Sequence, residues 1–317
     1  MWQDETMVAR MQQQAWDATH PVLILGCGYI GIAVAREILQ QGGKVVAVKR
    51  TAHTQSDKVL AHPNLTWIHA DLAEAQCLEK HLDHCSHVLY AASSGYGGIE
   101  AYKRSYVEGL TQVIPQIQAL GCGGRFVYLS STGVYGQNEG QWVDEKMATR
   151  PDSETARVLV EAEKILLQAC RQDHFPGIIL RLSGIYGPGR SYAMDRVLQG
   201  EVQLVSPGIR WVNMIHREDV VQAILASMQS GAQGAIYNVS DDEPVPMKHL
   251  YGWLAEQLRR PQPVIIDPSH AAATKRQVTH KRILNQKIKT ELGLSWHYPD
   301  FKAGYTPLLA PFLEGTI

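Results

Sequence analysis

Residues 22–31, VLILGCGYIG, constrain the fold of this chain more than any other stretch. Four apolar residues, Val22, Leu23, Ile24 and Leu25, run straight into Gly26-Cys27-Gly28-Tyr29-Ile30-Gly31. Ile30, Val34 and Ile38 then recur at helical spacing, and Gln41-Gly42-Gly43 supplies a left-handed stop. A second apolar run, Val45 to Val48, follows about 20 residues after the first. This is the strand, glycine turn and helix start that binds a dinucleotide. Gly26 permits the tight turn, Gly28 lets backbone approach a pyrophosphate, and Gly31 lets the helix pack on its strand. The helix N-terminus adds N–H groups and a partial positive charge. The loop therefore predicts cofactor contacts from Gly26, Cys27, Gly28, Tyr29, Ile30 and Gly31.

Strand and helix patterns alternate downstream. Apolar runs at 65–68, 87–91, 125–130, 177–182 and 235–239 read as further strands. Val158, Ala162, Ile165 and Ala169 share one helix face, and Val220, Ala223, Ile224, Ser227 and Met228 share another. Such an order predicts an α/β fold: a Rossmann-type doubly wound parallel sheet of about seven strands with a smaller C-terminal substrate lobe. The expected division is an N-terminal extension over 1–20, the dinucleotide-binding domain over 21–183 with 211–240 returning to it, and the substrate lobe over 184–210 and 241–317. The net charge of -1 points away from nucleic acid and anionic membranes as partners. No apolar run approaches a bilayer-spanning length, and the acidic residues and glutamines of the first 20 positions are unlike a signal peptide. The five cysteines are odd in number, and a chain of this length needs no covalent staples. A reducing, cytoplasmic setting is the expectation.

The end of the second strand discriminates between cofactors. An NAD site usually offers a carboxylate there to the ribose 2′-hydroxyl, which would repel a 2′-phosphate. This chain has Lys49, Arg50 and Thr51 instead. NADP is therefore expected over NAD. Asp71 and Leu72, after the third strand, are placed for an adenine contact. Ala91, Ala92 and Ser93, after the fourth, are placed to line the phosphate and ribose site, as is Leu182 after the sixth.

Several blocks in this order resemble the extended short-chain dehydrogenases/reductases, the NAD-dependent epimerase/dehydratase-like group. They are GCGYIG, Asp71-Leu72, YLSSTGVYG (128–136), VDE (143–145) followed by Pro151, LRLSGIYGPG (180–189), MIHREDV (214–220) and YNVSDDEPV (237–245). The resemblance runs over about residues 21–308 and implies an oxidoreductase or epimerase acting on a small polar, sugar-derived molecule. It also implies three groups: a Ser or Thr on the reacting oxygen, a Tyr as acid or base, and a Lys four residues later that lowers the Tyr pKa from about 10. Ser131, four residues before Tyr135, matches the first, with Thr132 its neighbour. The Tyr position falls on Thr155 and the Lys position on Leu159, so the chain resembles atypical members without the pair. Three routes stay open. Tyr135, Tyr186 or His216 takes the proton, although the two tyrosines also suit packing and His216 a structural hydrogen bond. Water or substrate takes it. Or there is no catalysis, and the chain is an NADP(H)-binding sensor. Ser183, Arg190 and His216 are expected to touch substrate, and the fold class suggests a homodimer.

Two further constellations carry less. Cys77, His81, His84 and Cys85 share a face if helical, which brings zinc to mind, but a small-residue core face explains them better and no metal is expected. Lys275, Arg276, Lys281, Arg282, Lys287 and Lys289 make the late chain basic, either as a solvated face or, for Lys281 and Arg282, as substrate contacts.

Overall fold

The computed structural model describes residues 16, 19–51, 61–74, 78, 84–95, 97–200, 202–205, 210–267, 269 and 280–313. Seven strands form one sheet: β1 (Val22–Leu25), β2 (Val45–Lys49), β3 (Leu65–His69), β4 (Val88–Tyr90), β5 (Phe126–Ser131), β6 (Gly177–Leu182) and β7 (Ile236–Val239). Their order is β3-β2-β1-β4-β5-β6-β7. This is the doubly wound order, with the reversal between β1 and β4 beside the glycine turn. The pairings are parallel, with Leu23 opposite both Val46 and Val88. Every residue of β1 is buried, as is every residue of β6. A parallel strand covered on both faces has no solvent side, and this is why β1 reads as an unbroken apolar run and β6 as one interrupted only at Arg181.

Helix α1 (Tyr29–Gln40) buries Ile30, Val34 and Ile38, four residues apart, and ends before Gly42 at φ +81°. The positive φ is cheap only without a side chain. The longer helices that follow are α2 (Gly109–Ala119), α3 (Glu154–Gln172), α4 (Arg217–Ser230), α5 (Met247–Gln257) and α6 (Phe301–Leu313). No helix among the described residues is long and apolar enough to cross a membrane.

By compactness the chain forms two units. The first falls within Met1–Tyr128, Lys164–Ile178 and Ser227–Gly234, and the second within Leu129–Glu163, Ile179–Ala226 and Ala235–Ile317. The second unit has a core of its own. Leu250 and Leu254 of α5 pack with Phe301, Tyr305 and Leu309 of α6 and with Met194 and Val197 of the short helix Tyr192–Leu198. Small two-stranded pairings surround it, including Gly184–Tyr186 with Met214–His216 and Trp142–Val143 with Arg282–Ile283.

The first unit departs from expectation at its cysteines. A reducing setting predicts unpaired thiols, yet Cys85 and Cys122 are joined, with Cα atoms 5.0 Å apart. Adjacency in the sheet explains the pairing. Cys85 lies just before β4 and Cys122 just before β5, and those strands are neighbours. Cys27 and Cys170 are buried and unbonded. Cys77 and His81 lie outside the described residues, as do Lys275, Arg276 and most of the N-terminal extension. Among the described residues no cluster of three or more His, Cys, Asp or Glu is placed to hold a metal ion.

Candidate functional site

The glycine turn of the first unit has the geometry its sequence predicts. Gly26 has φ +88°, and a methyl added there would overlap the Ala92 backbone. The Gly26 and Cys27 N–H groups both donate to Val48 O at 2.9 Å, which ties the turn to β2. Around Gly28 there is open space: an added methyl meets nothing within 4 Å. At Gly31 a methyl would press on Ile24 Cγ2 at 3.0 Å and Gly26 O at 3.1 Å. One glycine thus makes the turn, one leaves room, and one seats the helix. Helix α1 begins at Tyr29 with no side-chain cap and no acidic residue in its first turn. Its opening N–H groups lie beyond intrahelical bonding and suit an anion. This donor set, with the unfilled space at Gly28, fits a pyrophosphate.

The other residues expected around the cofactor belong to the same unit, except Leu182, which lies in the second. Ala91 donates its N–H to Leu25 O, so the segment 91–93 leaves the sheet beside the turn. Lys49 ends β2 with its ammonium 4.8 Å from the Trp67 ring centroid, and burial lowers its pKa. Arg50 and Thr51 are exposed. Burial works to raise the Asp71 carboxyl, but the Ala73 N–H, the Arg104 guanidinium and the charge of Arg50 outweigh it and hold it below the usual range. Its two oxygens accept from Ala73 N and from Arg104 Nε, each at 3.1 Å. Leu72 is buried. The Cys27 thiol is pushed up to about 12 by burial, against the charge of Lys49, and stays neutral.

The second unit holds the residues expected to touch substrate. Ser131 ends β5, and its Oγ accepts from Gly133 N–H at 3.0 Å, capping the short turn Thr132–Val134. Ser131 is half-buried, whereas Thr132 is buried with its hydroxyl on Leu182 O at 3.4 Å. Thr155 lies in the first turn of α3, exposed, with its hydroxyl 3.3 Å from Ser153 Oγ. Leu159, one turn later, is buried. Leu182 is buried at the end of β6, followed by Ser183, whose buried Oγ has no hydrogen-bond partner among the described residues. Arg190 is exposed and exchanges backbone hydrogen bonds with Gly187. His216 is buried. Its ring lies 5.3 Å from Tyr186 and 3.9 Å from Tyr298, and Nδ1 accepts from Glu218 N–H, while Nε2 has no hydrogen-bond partner among the described residues. Burial lowers the His216 pKa to about 4, helped by Arg217 and His297 and opposed by Glu218. Burial likewise raises the Tyr186 phenol.

A buried polar network in this unit was not anticipated. Arg181 of β6 grips Glu163 of α3 through two hydrogen bonds, Nε to Oε1 at 3.0 Å and Nη2 to Oε2 at 2.6 Å. Both side chains are about 5% exposed or less. Ser130 donates its hydroxyl to the same carboxylate at 2.6 Å. Arg181 Nη1 donates to the Tyr135 hydroxyl at 2.7 Å, and that hydroxyl donates to Asn238 Oδ1 at 2.9 Å. Tyr135 is fully buried, and its hydroxyl is engaged on both sides. One signal was readable: a lone arginine inside the apolar run of β6 needs a buried partner. Lys281 is also buried, with its ammonium on Tyr135 O at 2.7 Å, and burial lowers its pKa to about 8 against the charge of Asp152.

Comparison with known proteins adds relatives along the whole chain. Protein YeeZ of Escherichia coli (strain K12) is 28% identical over 307 residues, covering 92% of this chain and 98% of that protein. A conserved protein of unknown function from Silicibacter pomeroyi DSS superposes with a TM-score of 0.74 at 28% identity, over 94% of this chain and 99% of that one. The dTDP-glucose 4,6-dehydratase DesIV of Streptomyces venezuelae, solved with NAD and TYD bound, has a TM-score of 0.80 at 20% identity, covering 93% of this chain and 97% of that one. At that identity the likeness shows the fold alone. Residues 22–240 match the profile of the NAD dependent epimerase/dehydratase family. That span runs from the first residue of β1 to just past the last of β7, and on this match the chain belongs to the NAD dependent epimerase/dehydratase family.

Proposed function

We propose that the chain is an NADP-dependent oxidoreductase or epimerase/dehydratase-like enzyme of the atypical extended type, acting on a small polar, sugar-derived substrate. The carrying observation is the turn from Gly26 to Gly31, with open space at Gly28 and an uncapped helix start behind it. Lys49, Arg50 and Thr51 support NADP over NAD, because cations and a hydroxyl suit a 2′-phosphate. Asp71 is the nearby carboxylate, and its charge is already compensated by Arg104.

When bound, the nicotinamide supplies the ring that exchanges hydride with substrate. This chain's residues handle the substrate oxygen. Ser131 Oγ accepts from Gly133, which leaves its own proton to donate to a substrate carbonyl or hydroxyl. Thr155 and Leu159 replace the Tyr-Lys pair of the family, and neither a threonine hydroxyl nor a leucine can serve as a tuned acid. Tyr135 is committed to Arg181 and Asn238. The proton then passes to or from water or the substrate itself. Ser183, Arg190 and His216 are the substrate contacts of this reading. The replaced pair also favours a second reading, a cofactor-binding sensor without turnover. NADPH oxidation across a panel of carbonyl compounds and nucleotide sugars separates the two. Turnover that is lost in Ser131→Ala supports the enzyme; tight NADP binding with no turnover on any substrate supports the sensor. NAD binding tighter than NADP overturns the cofactor preference.

A further inference from the structure

The strongest unassigned feature lies in the second unit, around Gly140. Gly140 has φ +75°, and its N–H donates to His280 O at 2.7 Å. The His280 ring packs on its open face, where an added methyl would sit 3.0 Å from Nε2. Gly140 O in turn accepts from Arg282 Nε at 2.8 Å. Arg282 pairs with Trp142 in the two-stranded ladder, and its guanidinium carbon lies 4.7 Å from the Trp142 ring centroid and 5.1 Å from that of Trp211. Trp211 closes the circle, its N–H donating to His280 Nδ1 at 3.1 Å.

Three contacts therefore fix a guanidinium on one hydrogen bond and two indole rings. Among the described residues no carboxylate pairs with it, and its two terminal nitrogens have no hydrogen-bond partner. The guanidinium lies over both rings, and its terminal N–H groups are left to form paired hydrogen bonds to an oxyanion. His280 adds a second donor. Because Nδ1 accepts from Trp211, the proton of the neutral ring resides on Nε2, beside Gly140. Trp142 is 43% exposed, so the cluster opens to solvent. A flexible surface arginine loses rotamer freedom on binding an anion; this one has already lost it.

We propose that Arg282, held by Trp142 and Trp211 and assisted by His280, is a binding site for an oxyanion, the carboxylate or phosphate group of a ligand. The site is independent of the cofactor turn and does not rest on the reading of that turn. The test labels the full chain with 5-fluorotryptophan and assigns the Trp142 and Trp211 resonances through Trp→Phe variants. Sodium phosphate and sodium succinate are then titrated separately at constant ionic strength. Saturable shifts of both resonances with either anion are expected, with affinity at least tenfold weaker in Arg282→Lys, which keeps the charge but loses the planar fork. Response to phosphate alone identifies a phosphate-bearing ligand, and response to succinate alone a carboxylate-bearing one. Should Arg282→Lys lose its dispersed spectrum, Trp142→Leu read at Trp211 replaces it, again with tenfold weakening expected. No shift with either anion, or equal affinity in the variants, overturns the proposal.

Discussion

Cutting one end of the Arg181–Glu163 pair is the sharpest test of how the second unit is held together. Arg181→Met keeps most of the side chain's length and removes its charge. It leaves the Glu163 carboxylate, about 4% exposed, with the Ser130 hydroxyl as its remaining hydrogen-bond donor. It also removes a donor from the Tyr135 hydroxyl. Stranding one partner of a buried pair costs about 3–5 kcal/mol, because the orphaned charge stays desolvated. The reverse variant, Glu163→Leu, strands the guanidinium and belongs in the same range. Removing both in Arg181→Met/Glu163→Leu leaves no buried charge, and replacing a whole pair by apolar groups is often nearly neutral. The double variant is therefore expected to be more stable than either single, with a coupling energy of at least ~2 kcal/mol. For a chain of this size each kcal/mol moves the melting temperature by about 2–4 °C, so the singles should melt roughly 6 °C or more below the parent. Urea titration followed by circular dichroism provides the second measure. Single variants costing less than about 1 kcal/mol, or a double variant as unstable as the sum of the singles, would refute the reasoning.

Other expectations follow from the same physics. Gly26→Ala forces a methyl into the Ala92 backbone at φ +88° and should cost both stability and NADP binding, whereas Gly28→Ala has room for its methyl, should melt like the parent, and should bind NADP at least about tenfold more weakly by fluorescence titration. His216 protonates near 4 in the fold and near 6.5 when unfolded, so the unfolded chain holds more protons in between and stability is lost as pH falls from 6.5 toward 4. At about 1.4 kcal/mol per pH unit that is roughly 3 kcal/mol, and His216→Gln should flatten this acid limb of the melting curve; an unchanged limb would contradict it. The Cys85–Cys122 bond closes a loop of 37 residues, so Cys122→Ser or a strong thiol reductant should lower stability by about 2–4 kcal/mol, with no change on reduction in the Ser variant.

The sheet was legible because its chemistry is local. Strands covered on both faces read as apolar runs: β1 is one throughout, β6 is one but for Arg181, and β7 but for Asn238. The glycine turn was legible because its three glycines stand at fixed spacing between an apolar run and a helical pattern, although the backbone that crowds Gly26 belongs to the distant Ala92. Ser131, Thr155 and Leu159 were singled out by their place in motifs that resemble the family's, and their roles remain part of the proposal. What stayed hidden depends on partners far apart in sequence. Glu163 and Arg181 meet because a helix lies on a strand, and neither residue names the other. Within the indole-guanidinium cluster, Trp142 and Arg282 meet through strand pairing across 140 positions, and Trp211 joins them through its hydrogen bond to His280. The Cys85–Cys122 bond follows from two strands being sheet neighbours, a fact of topology that cysteine counting cannot supply.

The way the chain is apportioned between its units bears on how such a protein can be altered. The boundary is crossed at Tyr128, Glu163, Ile178, Ala226 and Gly234. Two of those crossings fall inside β5 and β6 and two inside α3 and α4. No single cut in the gene isolates either unit, so exchange of the second unit by recombination would have to splice through hydrogen-bonded backbone several times over. Variants that alter the second unit are therefore made more simply by point substitution or loop change within the intact chain than by exchanging a contiguous segment.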